Sequence, residues 1–112
     1  MKLFNFKDMK GGWFVGDFEP CAYKTKDFEV CFKTHPKGEK WATHYHPTVT
    51  EVNLLVRGKM RFQGKILQPN TIFVVEPYEI SDPEFLEDCE VVVVKLPSIN
   101  DKVDVTPTQL NP

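Results

Sequence analysis

Residues 38–58 read GEKWATHYHPTVTEVNLLVRG and carry most of the information about fold and function in this chain. On an extended strand, His44 and His46 lie two residues apart, so their imidazoles leave the same face and can converge on one point. A turn at the following Pro-Thr then brings Glu51 in on the next strand. Because two imidazoles and a carboxylate are ligands that Fe, Mn, Ni and Zn accept, the stretch predicts a divalent transition-metal site.

The spacing of the fixed residues strengthens this interpretation. From Gly38 to Gly58 the pattern is Gly, five residues, His, one residue, His, four residues, Glu, six residues, Gly. It fills every fixed position of the first signature of the cupin superfamily, so the chain resembles a small single-domain cupin. The resemblance implies an all-β, double-stranded β-helix (jelly-roll) barrel, whose metal ligands are the residues of this signature with one histidine of the second.

The second cupin signature survives only as spacing. Alignment on the turn at 69–71 puts Asn70 at the first glycine, Glu76 at the proline, Tyr78 at the second glycine and Ser81 at the histidine. Asn visits the left-handed backbone region more readily than most residues, so the first replacement is tolerable. A serine hydroxyl is not a metal ligand comparable to an imidazole, so the fourth ligand is missing.

The same alignment predicts the remaining pocket residues. Strand alternation places Glu79 on the face of Ser81, which makes Glu79 the candidate general base for a metal-bound substrate. Glu76 is a second carboxylate that could reach inward. Tyr78 and Arg61 are expected at the rim of the pocket, where either could orient a polar ligand.

Each of these residues also has a plainer interpretation. The histidine pair could line a vestigial pocket that holds water or a buffer ion. Glu51 could pair with Arg57, Lys59 or Arg61 on a neighbouring strand, and most acidic residues between 76 and 90 could form a solvated rim. His35, which precedes a proline, is expected on a surface loop.

The pattern along the chain predicts a mostly β fold, because short apolar stretches alternate with turns rich in Gly, Pro and Asn. The expected strands are residues 13–18, 28–34, 40–45, 51–57, 59–63, 72–76 and 90–96. Short helical turns are expected near 5–9 and 81–84.

Two features predict how the strands are buried. Val52, Leu54 and Val56 alternate with more polar residues, which suggests that this apolar set faces the core. The runs 72–75 and 91–94 are apolar throughout and are therefore expected to be covered on both faces. The predicted domain is residues 1–97, with an N-terminal strand extension, and the polar segment 98–112 is expected to be a flexible tail.

Composition bounds the partners. Fourteen Lys and Arg residues against sixteen Asp and Glu residues give a formal net charge of −2, so no overall charge draws the chain to nucleic acid or to anionic membranes. Three cysteines without metal-ligand spacing read as reduced thiols, and together with the absence of a leader they favour a cytoplasmic location. The aromatic segment at 12–20 is unusual for the edge strand of a monomer, so we expect a homodimer.

Three classes of function remain open at this level. The chain could be a metal-dependent enzyme of the isomerase or dioxygenase type that cupins include. It could instead bind a small polar ligand, for instance a carbohydrate, without turnover, or serve as an interaction domain with a vestigial metal site. Because cupins host many unrelated activities, the resemblance predicts a metal-binding domain and does not choose between these classes.

Overall fold

The computed structural model describes residues 1–105 and is built almost entirely of strands. The elements in chain order are a short 3₁₀ turn (Phe6–Asp8), β1 (Trp13–Val15), β2 (Glu29–His35), β3 (His44–Tyr45), β4 (Thr50–Arg57), β5 (Met60–Phe62), β6 (Lys65–Leu67), β7 (Ile72–Val75), β8 (Glu84–Phe85), β9 (Cys89–Leu96) and β10 (Val103–Asp104). This confirms the all-β prediction.

The strands form two facing layers. The larger is a five-stranded antiparallel sheet in the order β1-β2-β9-β4-β7. The smaller layer contains the sheet β6-β5-β8 and the pair β10-β3. The two are joined edge to edge by isolated bridges at Lys40–Glu84 and His44–Ser81. A hydrophobic core lies between the layers and is formed by Leu55, Met60, Phe85, Cys89 and Val91.

The end of β4 depends on a glycine. Gly58 has a φ of +90°, and a Cβ there would lie 2.3 Å from the carbonyl oxygen of Asp88. Both the left-handed backbone and the close approach of the neighbouring chain exclude a side chain at this position. The last glycine of the 38–58 pattern is therefore required by the turn from β4 into β5.

The burial of β4 is the reverse of the sequence-based prediction. Glu51, Asn53 and Leu55 face the interior, whereas Val52 and Leu54 lie on the outer face and Val56 is exposed. Strand β7 was expected to be covered on both faces, but Ile72 is 67% exposed and Val74 is 48% exposed, and only Phe73 and Val75 turn inward. In β4 the inward positions include the polar Glu51 and Asn53, because these two side chains line the pocket.

The boundary of the predicted tail is also corrected. Residues 98–105 fold back onto the barrel: Ser98 is buried and β10 pairs with β3 through Val103–Tyr45 and Asp104–His44. These polar residues find partners on the barrel, which their composition did not reveal. The rest of the predicted tail, residues 106–112, lies outside the described residues. The structure also adds the short strands β6, β8 and β10 to those expected, with β8 where a helical turn was predicted.

Within residues 1–105, no helix has the length and apolar character that a membrane crossing would need.

Candidate metal and ligand site

The histidine pair lies at the junction of two connected spaces between the layers. An inner cavity of about 110 Å³ is lined by His44, Glu51 and Ser81 together with apolar side chains of both layers. A wider funnel of about 400 Å³ opens outside it and is lined by His44, His46 and Glu51. The residues that the sequence predicted as metal ligands therefore do face one pocket.

His44 is held by its backbone and by one ring nitrogen. Its main chain exchanges hydrogen bonds with Ser81, with N···O distances of 3.0 and 2.7 Å. Nδ1 lies 2.9 Å from the carbonyl oxygen of Ala42, which can only accept, so Nδ1 carries the proton. Burial lowers the pKa of the imidazole below its ordinary value, although the bond to Ala42 opposes this. The neutral ring leaves Nε2 as a lone-pair donor.

His46 is held by an aspartate that the sequence analysis missed. Nδ1 of His46 lies 2.7 Å from Oδ1 of Asp101, and the other carboxylate oxygen accepts the backbone N–H groups of Thr48 and Val49 at 2.8 and 2.9 Å. Burial by itself would raise the pKa of Asp101, but these hydrogen bonds outweigh it and the pKa is lowered. The ionised carboxylate of Asp101 fixes the orientation of the His46 ring. Metal-binding histidines usually have such a hydrogen-bond partner on the ring nitrogen that does not bind the metal.

The contact between His46 and Glu51 is the most informative feature of the site. With Nδ1 donating to Asp101, the remaining ring nitrogen Nε2 of His46 lies 3.4 Å from Oε2 of Glu51. Without a proton on Nε2, both of these atoms are acceptors. Two acceptors at this distance repel each other unless a cation lies with them, which is either a proton on Nε2 or a metal ion. The site is therefore arranged around a positive charge.

Ser81 occupies the place of the missing fourth ligand. Ser81 is 2% exposed. Its Oγ is buried and has no hydrogen-bond partner within residues 1–105. The bridge to His44 puts Oγ in the wall of the inner cavity. An unpartnered buried hydroxyl costs free energy, so it marks a point where a ligand or water atom would be stabilised.

The backbone of the second signature is retained although its glycines are not. Asn70 has a φ of 74° and Tyr78 a φ of 69°, and these are the two positions aligned with glycine. Left-handed backbone is expected for Asn and is uncommon for Tyr. The expectation for Asn70 is confirmed, and the structure adds a left-handed residue at Tyr78, the other position that aligns with glycine.

Four of the residues expected in the pocket lie outside both spaces. Oε2 of Glu79 accepts a hydrogen bond from the backbone N–H of Glu76 at 2.6 Å, within the turn that the two residues form. Glu79 is therefore not placed as a general base. The side chain of Glu76 is exposed. Tyr78 is 68% exposed and stacks on Tyr45. Arg61 pairs with Glu84 on the outside of the smaller layer. The turn at 76–79, with left-handed backbone at Tyr78, directs Glu76 and Tyr78 to solvent, which strand alternation did not anticipate.

His35 also differs from its expected place on a surface loop. It is buried at the end of β2, its ring stacks on Phe85 with centroids 4.0 Å apart, and Nδ1 pairs with Glu39. It lines the inner cavity on the side away from the histidine pair. No signal in the sequence distinguished it from a loop histidine.

The donor set fits a divalent metal by its chemistry and only partly by its arrangement. Both histidines have Nδ1 engaged and Nε2 available, and a carboxylate lies beside them. As the side chains stand, however, no three His, Cys, Asp or Glu groups within residues 1–105 converge closely enough to enclose an ion. Holding a metal here therefore requires a rotation of at least one of the three side chains.

Comparison with known proteins supports the architecture. No family model and no curated protein sequence matches the chain. Among solved structures, an uncharacterized conserved protein with a double-stranded β-helix domain from Klebsiella pneumoniae superposes with a TM-score of 0.67 at 19% identity, covering 72% of each chain. A cupin-2 domain containing protein from Shewanella frigidimarina gives a TM-score of 0.54 at 17% identity, covering 64% of this chain and 72% of that one.

A third similar structure is larger than this chain. The acetylacetone dioxygenase from Acinetobacter johnsonii superposes with a TM-score of 0.64 at 14% identity, over 75% of this chain and 58% of the dioxygenase. At such identities the likeness concerns the fold alone. With its two facing layers and its first signature on β3 and β4, the chain has the double-stranded β-helix fold of the cupins.

Proposed function

We propose that this protein is a small cupin that holds a divalent transition metal, Fe, Mn, Ni or Zn, through His44, His46 and Glu51 and binds a small polar ligand beside it. The observation that carries the proposal is the approach of Nε2 of His46 to Oε2 of Glu51 at 3.4 Å, with Nδ1 already committed to Asp101. A metal ion satisfies both lone pairs at once. It also uses the free Nε2 of His44, which no other residue described here engages.

The surrounding residues have defined tasks in this proposal. Asp101 and the carbonyl of Ala42 fix the ring orientation of the two histidines, which is the usual arrangement behind metal-binding imidazoles. Oγ of Ser81 is available to hydrogen-bond a ligand in the inner cavity. A bound divalent ion would supply a Lewis acid for that ligand.

The chain offers little else for covalent chemistry at this site. Cys31 lines the inner cavity, but burial raises the pKa of its thiol to about 12, so it stays protonated and is a poor nucleophile. We therefore assign binding of metal and ligand as the function, and any turnover would depend on the metal. The second candidate is a vestigial pocket, in which Nε2 of His46 is protonated and forms an ion pair with Glu51. This alternative is favoured by the side-chain arrangement, because no three His, Cys, Asp or Glu groups within residues 1–105 converge closely enough to enclose an ion.

Metal binding by purified protein distinguishes the two. The chelator-treated chain is dialysed against Mn(II), Ni(II), Zn(II) and, without oxygen, Fe(II), and bound metal is measured by elemental analysis. We expect one ion per chain for at least one metal, no ion for the double variant His44→Ala with His46→Ala, and a weaker complex for Glu51→Gln. Asp101→Asn should weaken binding roughly 10-fold to 100-fold, because it removes only the orienting partner.

The control is Glu79→Gln, which removes a carboxylate that lies outside the pocket and should leave binding unchanged. Thermal melts of the metal-free variants show whether each is folded. Failure of the native chain to bind any of the four metals, or equal binding by the double-histidine variant, contradicts the proposal.

We also propose a homodimer, with a different surface from the one expected. The aromatic residues of β1 are occupied within the chain, because Trp13 contacts Phe18 and Phe14 contacts Phe6. The outer face of the five-stranded sheet instead carries two rows of apolar side chains across β2, β9, β4 and β7. The rows are Val30, Val94, Val52 and Val74, then Phe32, Val92, Leu54 and Ile72.

This outer face suits a second copy of the same chain. Its eight side chains are all apolar, so it offers nothing that would pair with a charged partner. Monomeric proteins rarely leave large contiguous apolar patches exposed. A two-fold interface places the same patch on both sides and therefore matches apolar surface with apolar surface.

A further inference from the structure

We infer that the funnel contains an anion subsite centred on Lys33, so that the ligand of this pocket is a small organic anion carrying a carboxylate or phosphate group. The inference deepens the proposed function and rests on it for the position of the ligand's other end. Its own support is the placement of charge and aromatic rings in the funnel, which does not involve the metal ligands.

Lys33 is held in a fixed place at the boundary of the two spaces. It faces inward from β2 and lines both the inner cavity and the funnel. Its Nζ lies 5.6 Å from the ring centroid of Trp13 and 5.2 Å from that of Trp41, so two indole faces hold the ammonium group by cation–π attraction. A lysine held in this way loses little further conformational freedom when it binds a ligand.

Lys33 has no ion-pair partner within residues 1–105, although its charge contributes to lowering the pKa of Glu39. Within residues 1–105 no carboxylate oxygen lies within 4.0 Å of its Nζ, whereas each carboxylate of the funnel wall already has a partner. Glu29 pairs with Lys95 at 3.0 Å, Glu19 with Lys24 at 3.2 Å and Glu51 with His46 at 3.4 Å. A half-buried ammonium without a counterion favours an anion from solution.

Lys102 adds a second positive charge to the same wall. Its Nζ lies 5.1 Å from the ring centroid of Trp41, and its carboxylate neighbour, the exposed Asp104, is 3.8 Å away. The funnel wall carries four lysines, Lys10, Lys33, Lys95 and Lys102, against three glutamates. The wall is therefore net positive in a protein whose overall charge is −2.

A buried chain of contacts fixes Trp41 and accounts for a histidine that the metal site does not use. Nε1 of Trp41 donates to Oε2 of Glu39 at 3.0 Å, the same oxygen pairs with His35, and His35 stacks on Phe85. Glu39, His35 and Phe85 are positioning residues for the subsite, since their contacts orient the indole of Trp41. They hold the indole whose face receives Lys33 and Lys102.

The two tryptophans of the chain are Trp13 and Trp41, so intrinsic fluorescence reports on this subsite directly. Chelator-treated protein is titrated with malonate, with glycerol phosphate and with the uncharged malonamide. We expect both anions to change the fluorescence and malonamide to have no effect. Lys33→Met should weaken anion binding about tenfold or more, because it removes a charge-assisted contact, and Lys33→Arg should restore most of it.

Lys65→Met is the matched control, since Lys65 lies on β6 outside both spaces and should not alter the titration. Anion binding should also weaken with added salt. Comparison of malonate with glycerol phosphate tells carboxylate from phosphate, and either supports the subsite. Equal affinity of Lys33→Met and native protein, equal response to malonamide, or no response to either anion overturns it.

The test separates this inference from the proposed function. The titrations are repeated on the double variant His44→Ala with His46→Ala, which has no metal ligands of its own. Anion binding that persists there, in a variant expected to hold no metal, would support the subsite whether or not the native chain binds a metal. Anion binding to the metal-free chain that requires the two histidines would place the anion on His44 and His46, and would overturn the subsite.

Discussion

The two faces of the five-stranded sheet differ, because the inner face mixes polar side chains with apolar ones such as Cys31, Val91 and Val93, whereas two rows on the outer face are wholly apolar. The inner face carries charged and polar side chains in the pocket, namely Glu29, Lys33, His35, Glu51, Asn53 and Lys95. The outer face carries valines, a leucine, an isoleucine and a phenylalanine. The polar residues of the inner face are the basis of the proposed ligand site, and the apolar rows of the outer face are the basis of the proposed dimer.

Part of the inner face is stabilised by a buried ion pair and a hydrogen bond to it. Lys95 pairs with Glu29 at 3.0 Å, and Oγ of Ser98 donates to the same carboxylate at 2.8 Å. Such buried pairs contribute little net stability, but losing one partner is costly, so they fix the shape of the pocket. The apolar core is confined to the far end of the barrel, around Leu55.

Adjacent residues of β4 offer the sharpest test of the two faces. Leu55 is 0% exposed in the core, and Leu54 lies next to it on the outer face. Leu55→Ala should lower the free energy of unfolding by about 2–5 kcal/mol, since it leaves a cavity, whereas Leu54→Ala should cost about 1 kcal/mol. Urea denaturation at low protein concentration measures both. Equal losses would contradict the assignment of the faces.

The outer face should fail as an interface when a charge is placed at its centre. Val52 lies between Val94 and Val74 in register, so Val52→Lys would bury an ammonium in the dimer and should convert the dimer to monomer. Light scattering in the micromolar range measures the mass. Gln68→Lys, in an exposed turn, is the control and should stay dimeric. A native chain that is monomeric in this range contradicts the proposed dimer.

The smallest effect concerns two carboxylates, one on each side of the sheet. Burial would raise the pKa of Glu39, but hydrogen bonds from Trp41 and His35 outweigh it and the pKa is lowered from its ordinary value. The stability that Glu39 contributes is therefore present above the pKa of the unfolded chain and is lost as pH falls through the folded value. Glu39→Gln should destabilise the protein at neutral pH and much less in acid.

Glu90→Gln provides the comparison for that prediction. Glu90 pairs with the exposed Arg57 on the outer side, and such pairs contribute under about 1 kcal/mol. Urea denaturation between pH 3 and 7 measures both variants. A loss for Glu39→Gln that stays constant through the acid range would contradict the role given to this carboxylate.

The sequence was informative where backbone geometry governs and misleading where pocket chemistry does. The spacing of the second signature aligned Asn70 with a glycine and predicted that left-handed backbone is tolerated there, and Asn70 has a φ of 74°. The alternation of β4, in contrast, pointed Val52 and Leu54 inward, because apolar residues usually face a core. A sheet that lines a polar pocket breaks that rule, and only the presence of Glu51 in the same strand hinted at it.

The residues that were missed are those whose partners lie far along the chain. Asp101 lies 55 residues from His46 in a polar segment that looks like a tail. Lys33 lies in an ordinary strand pattern, and only the approach of Trp13 and Trp41 distinguishes it from a surface lysine. Contacts of this kind depend on how the strands are brought together, which local sequence does not encode.

Anomalous diffraction tests the central claim most directly. Crystals of the native chain are grown after loading with the metal that binds best, and data are collected on both sides of its absorption edge. The account predicts one anomalous peak within coordination distance of Nε2 of His44, Nε2 of His46 and the carboxylate of Glu51. No peak there, with Nε2 of His46 still paired directly to Glu51, would contradict it.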